Sequence, residues 1–187
     1  CDPDLGPGCN HAVEAAVAVS GDEAWAVGQN GTILRYADGA WRAVEGGDGW
    51  LVGLCLVDAA SGWAVGRAGR ILRLDGDVWR RVESPTDAWL ADVAAVSADE
   101  AWAVGESGTI LHFADGRWAV VDSPVVTSLE SIVVRGPADG WIVGEAGTVL
   151  RLRSTGWRAV ARPTAAWLYG VHAADAETAW AVGSGGT

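Results

Sequence analysis

Short apolar runs of strand length alternate along the chain with polar turns, and residues 89–123 show the arrangement. WLADVAAVS (Trp89–Ser97) is an apolar run, and SADE is a polar turn. AWAVG (Ala101–Gly105) then alternates, with Trp102 and Val104 on one face and Ala103 and Gly105 on the other. A hairpin follows whose glycines, Gly105 and Gly108, suit positive φ. TILHF is rich in β-branched and aromatic residues, ADG is a second tight turn, and RWAVVD is a last apolar run. SPVVT leads out, with Pro124 outside any hydrogen-bonded ladder. The pattern predicts four short antiparallel strands in about 39 residues.

This unit recurs. The phrase AWAVGESGTI has relatives at AWAVGQNGTI from Ala24, GWAVGRAGRI from Gly62, GWIVGEAGTV from Gly140 and AWAVGSGGT from Ala179. Its tryptophans form the column Trp25, Trp63, Trp102, Trp141 and Trp180. A second column is Trp41, Trp79, Trp118 and Trp157; a third is Trp50, Trp89 and Trp167, with Ser128 in the missing register. Together they take up all 12 tryptophans.

Four-stranded units repeated at this length predict β-propeller blades. A β-superhelix would use one or two strands per coil, and period-two patterning with glycine turns excludes helical repeats. The units span 12–46, 50–84, 89–123 and 128–162, with a partial unit at 167–187 and a leader at 1–11. The expected fold is an all-β propeller of about four and a half blades, either an open arc or part of a larger ring. Both faces of every sheet then pack against neighbours. Each phrase tryptophan fills the widening wedge, and the small residues opposite it let the next blade approach. Open blade edges invite self-association.

Composition fits a folded domain: 187 residues, half of them hydrophobic and 20% charged. The net charge of −11 repels phosphate backbones and anionic lipid, which argues against nucleic acid and acidic membranes as partners. No apolar run approaches the ~18 residues of a membrane-spanning helix. Every basic residue is arginine, as in proteins of GC-rich bacterial genomes. Cys1 at the first position fits a lipidated exported protein, and CDPDLGPGC could instead close a Cys1–Cys9 loop in an oxidising compartment. The expected localisation is periplasmic, cell-surface or extracellular. Cys55, in LVGLCLV, reads as an inert core thiol.

Propeller topology sorts the polar residues between two rims. One receives Asp22, Glu23, Asp38, Asp58, Asp75, Asp77, Asp99, Glu100, Asp115, Asp139, Asp175 and Glu177, an acidic ring of turn formers without the D-x-D-x-D spacing of a calcium loop. The other receives Trp50, Trp89 and Trp167 at the start of the channel strands, with Gln29, Arg67, Glu106, Glu145 and Ser184 in the hairpins. Flat aromatics beside carboxylates and a guanidinium suit a peptide or a sugar. The candidate ligand set is therefore Trp50, Trp89, Trp167, Arg67, Glu106 and Glu145; the alternative is that these tryptophans cap the core.

Arg35, Arg73, His112 and Arg151 share one position on the third strand, away from the channel, and are expected to pair with turn acids of adjacent blades at the surface. Tyr169 is the lone channel-strand tyrosine. Glu14, Asp92 and Glu130 also map to channel strands, but nothing in sequence pairs any of them with it. His11, His112 and His172 lack metal-ligand spacing, Ser84 and Ser123 lie in a repeated inter-blade SP loop, and no glycine cluster opens a helix. No catalytic residue, metal site or cofactor is expected.

WAVG-xx-GTIL…DG-x-W resembles the repeats of photosystem II stability/assembly factor-like propellers and, more widely, Asp-box repeats, a family that includes sialidases. The resemblance covers about residues 12–187. The Asp-box is shortened here to ADGAW (Ala37–Trp41), DGDVW (Asp75–Trp79), ADGRW (Ala114–Trp118) and STGW (Ser154–Trp157), the last without Asp. The resemblance implies architecture and assembly-platform work. The expected function is a non-enzymatic scaffold binding a protein or glycan. Alternatives are an Asp-box glycan hydrolase and a purely structural surface repeat.

Overall fold

Strand formation follows the pattern of β-branched and aromatic residues set between glycine-bearing turns. In a computed structural model, residues 12–187 are described. The leader, with the proposed lipidation at Cys1, the Cys1–Cys9 loop and His11, lies outside the described residues.

Four sheets have four antiparallel strands each. They are β1 (Val13–Ala18) to β4 (Ala40–Ala43), β5 (Leu51–Asp58) to β8 (Val78–Arg81), β9 (Leu90–Ser97) to β12 (Arg117–Val120), and β13 (Leu129–Gly136) to β16 (Gly156–Ala159). In each, strand order follows chain order. A fifth sheet pairs β17 (Leu168–Ala173) with β18 (Ala179–Gly183). First strands pack in succession, β1 on β5, β5 on β9, β9 on β13 and β13 on β17. The described residues thus form a β-propeller arc of four and a half blades that does not close.

The core lies between sheets rather than within one. Between blades two and three, Trp63, Val65 and Ile71 of one blade meet Leu90, Val93, Ala101, Ala103, Leu111, Phe113 and Trp118 of the next. The neighbouring interfaces repeat this with Trp25, Val27 and Ile33, and with Trp102, Val104 and Ile110. Ala101 and Ala103 therefore face backward while Trp102 and Val104 face forward, as the alternation requires. At each of these three interfaces a phrase tryptophan meets a fourth-strand tryptophan of the next blade edge to face: Trp25–Trp79 at 5.7 Å, Trp63–Trp118 at 5.0 Å and Trp102–Trp157 at 5.6 Å. Edge-to-face geometry sets the positive rim of one ring against the negative face of the other. Among the described residues Trp41, on the first blade, and Trp180, on the fifth, have no such neighbour and are 45% and 58% exposed.

The two hairpin glycines do different jobs, which corrects the expectation that both take positive φ. Gly108 does, at 72°. Gly105 is extended, at −171°. A Cβ at Gly105 would collide with the carbonyl oxygen of Trp89, and the equivalents Gly66, Gly144 and Gly183 face the carbonyls of Trp50, Ser128 and Trp167 in the same way. This close approach lets the second strand press against the residue ahead of each first strand, and so fixes the position of the third tryptophan column.

Candidate binding face

The residue ahead of each first strand is held by the hairpin of its own blade. Its carbonyl accepts the N–H of the first hairpin residue: Arg67 donates to Trp50, Glu106 to Trp89, Glu145 to Ser128 and Ser184 to Trp167. In three blades the hairpin side chain answers with an acceptor. The Trp89 N–H donates to Glu106 Oε1 (2.8 Å), the Ser128 N–H to Glu145 Oε2 (3.2 Å), and the Trp167 N–H to Ser184 Oγ (3.1 Å). Such reciprocal bonds fix backbone position on a solvent-facing loop.

In the second blade the hairpin side chain is Arg67, and it stacks instead. Its guanidinium carbon lies 3.9 Å from the centre of the Trp50 ring and 4.6 Å from that of Trp89, so one cation bridges the aromatics of adjacent blades. The Trp50 indole N–H donates to Glu14 Oε1 (3.1 Å), which also accepts from Gln29 Nε2 (3.0 Å).

Trp89 also borders a concavity of about 330 Å³, with Glu106, Ser128, Glu130 and Trp167 among its other walls. Trp89 and Trp167 are each 39% exposed. Trp50, Arg67, Trp89, Glu106 and Trp167 thus stand along one rim, while Glu145 braces the Ser128 backbone between them. Sequence reasoning did not single out Glu130 or Ser128 as walls of a cavity. The signal was the break in the third column: a serine stands where the other blades carry a ring.

Behind the rim, Asp92 of β9 reaches across to the fourth blade. Its Oδ2 accepts from Ser131 Oγ (3.0 Å) and the Ile132 N–H (2.9 Å), and Oδ1 accepts from the Val93 N–H (2.8 Å). Burial pushes this carboxyl up to about 6, against the pull of those three hydrogen bonds. Opposite it, Gly53 has no room for a side chain: a Cβ there would lie 3.0 Å from Asp92 Cα. Burial likewise pushes the Cys55 thiol up, which agrees with an unreactive sulfur. Tyr169 stacks on Trp167 (6.1 Å, 22°) and is 56% exposed, and among the described residues no carboxylate is in hydrogen-bond contact with its phenol.

The third-strand basic residues lie on the other rim, and burial pushes the His112 imidazole down, toward its neutral form. Each faces the phrase tryptophan of its own blade across the strand pair: Arg35 over Trp25 (5.2 Å), Arg73 over Trp63 (5.2 Å), His112 stacked on Trp102 (3.9 Å) and Arg151 over Trp141 (4.3 Å). Arg35 pairs with Glu23 and, across the blade interface, Asp77; Arg73 pairs with Asp99 of the next blade; His112 lies near Glu100. Arg151 departs from the surface role expected of the set, with a side chain only 2% exposed. It pairs with Asp139 at 2.6 Å and donates to the Gly140 carbonyl (2.8 Å) and the Ala176 carbonyl of the fifth blade (2.6 Å). The β17–β18 connection folds over it. Among the described residues no cluster of three or more His, Cys, Asp or Glu could hold a metal ion.

No family model matches this chain, and no curated protein does. Solved structures share its fold. YCF48 bound to D1 peptide superimposes with a TM-score of 0.70 at 15% identity, covering 94% of this chain and 61% of that one. YCF48 from Cyanidioschyzon merolae gives 0.75 at 16%, covering 97% and 70%. The WD40 β-propeller domain of Doa1 gives 0.73 at 13%, covering 95% and 64%. The chain therefore spans about three fifths of the length of the first of these. At such identities the likeness is one of fold.

Proposed function

We propose that the chain is a non-enzymatic, exported propeller scaffold that binds a protein partner along the Trp50–Trp89–Trp167 rim. The observation that carries this is the rim itself: large aromatics left partly in solvent, yet held by reciprocal hairpin bonds and the Arg67 stack. Fixed, exposed tryptophans flanked by charge are typical anchors of protein recognition. YCF48, a propeller of the same fold, has been seen with a bound peptide, which supports a peptide over a sugar as occupant.

A peptide array and a glycan array, probed with the wild-type chain and a Trp50→Ala/Trp89→Ala/Trp167→Ala variant of matched folding, test the reading. Retention of a set of peptides by the wild type alone supports it. Equal retention by both proteins, or retention of glycans only, overturns it. The hydrolase alternative is tested by turnover of a fluorogenic glycoside panel that disappears in Tyr169→Phe. Self-association through the open faces around Trp41 and Trp180 is a further proposal, checked by sedimentation across a concentration series.

A further inference from the structure

The rim carries two neighbouring gaps with different contents. The first, between Trp50 and Trp89, is filled by the Arg67 guanidinium. The second lies beyond Trp89, where Ser128 replaces a tryptophan and leaves the concavity walled by Trp89, Trp167, Glu106 and Glu130. No arginine enters it, because the hairpin residue equivalent to Arg67 is Glu106. One Glu106 oxygen is occupied by the Trp89 N–H; the other, and both oxygens of Glu130, have no donor among the described residues.

From this we infer that the concavity between Trp89 and Trp167 is a subsite for an arginine side chain of the bound partner. The inference rests on the protein-binding reading above and names what that face recognises. The chain displays the mode itself, since Arg67 shows that gaps on this rim accept a planar cation stacked on indole. The second gap offers the same kind of wall and adds carboxylates for the guanidinium N–H groups, which favour a bidentate fork over a point charge. The overall charge of −11 favours the approach of a basic segment to the chain, and Glu106 and Glu130 supply the acidic groups at this gap. A tryptophan at position 128 would occupy the space, so the break in the column makes the subsite.

The test follows the twelve indole N–H signals of the 15N-labelled full chain by NMR during titration with acetyl-Gly-Arg-Gly-amide, and with the same peptide carrying citrulline, a neutral isostere. The Arg peptide should shift Trp89 and Trp167 saturably, and the citrulline peptide should bind about five- to tenfold more weakly. Glu130→Gln should weaken the Arg peptide several-fold, and Ser128→Trp, with its melting temperature checked, should abolish the shifts. Equal binding of the two peptides, absence of shifts at Trp89 and Trp167, or full binding by Ser128→Trp would overturn the subsite. If array peptides bind the rim irrespective of arginine content, the subsite fails while the protein-binding reading stands. If the Arg peptide binds here and no array peptide does, the reverse holds.

Discussion

Trp63 of the second blade and Trp118 of the third meet edge to face at 5.0 Å, both almost fully buried. The pair belongs to two tryptophan columns that close one wedge from opposite blades, and it explains why the columns share a period. Trp63→Ala should therefore cost about 3–5 kcal/mol, the range for a large aromatic cut from a core. Trp41→Ala, at a ring left 45% exposed among the described residues, should cost under about 1 kcal/mol. Urea titrations of both variants check this; equal costs would remove the wedge account.

Gly105 should tolerate no side chain, because a Cβ would strike the Trp89 carbonyl. Gly105→Ala should destabilise by about 1–3 kcal/mol or more. Gly136→Ala, which has open space around it, should change stability by less than about 0.5 kcal/mol. Thermal melts of the two variants make the comparison.

Arg151 and Arg35 occupy the same repeat position but different surroundings, 2% against 31% exposed. Arg151→Met should cost about 1–3 kcal/mol, since the Gly140 and Ala176 carbonyls lose their donor and Asp139 its cation, although Asp139 keeps some contact with water. Arg35→Met should cost under about 1 kcal/mol, because solvent screens its pairs. Matched denaturant curves decide.

Asp92 sets a pH dependence. Its folded-state pKa, about 6, lies above that of an unfolded aspartate, so the folded state holds the proton more tightly. The resulting stability is fully present below about pH 4 and is lost as pH rises through about 6, by roughly 3 kcal/mol in all. Asp92→Asn should flatten the stability–pH curve across that window. An unchanged slope in the variant would assign the dependence to other groups.

Much of this fold was legible because repetition multiplies weak signals. Four copies of the same turn and tryptophan spacing fixed the strand number of a blade and the face that Trp102 shares with Val104. Relationships set by what lies opposite were not legible. Gly105 looks like any hairpin glycine until the Trp89 carbonyl is seen against it. Arg151 looks like Arg35 until the β17–β18 connection covers it. Ser128 could be noticed as a missing tryptophan, but the space it leaves, and the carboxylates that wall it, depend on three blades meeting at one rim.

The central claim is that the rim tryptophans bind while the phrase tryptophans build. It is tested most directly by titrating a peptide retained on the array into the wild type, Trp89→Ala and Trp41→Ala, with the melting temperature of each recorded alongside. Trp41 is as exposed as Trp89 but lies off the rim. The account predicts a loss of about tenfold or more in affinity for Trp89→Ala at nearly unchanged stability, with Trp41→Ala binding as the wild type does. Undiminished binding by Trp89→Ala, or an equal loss in both variants, would contradict it.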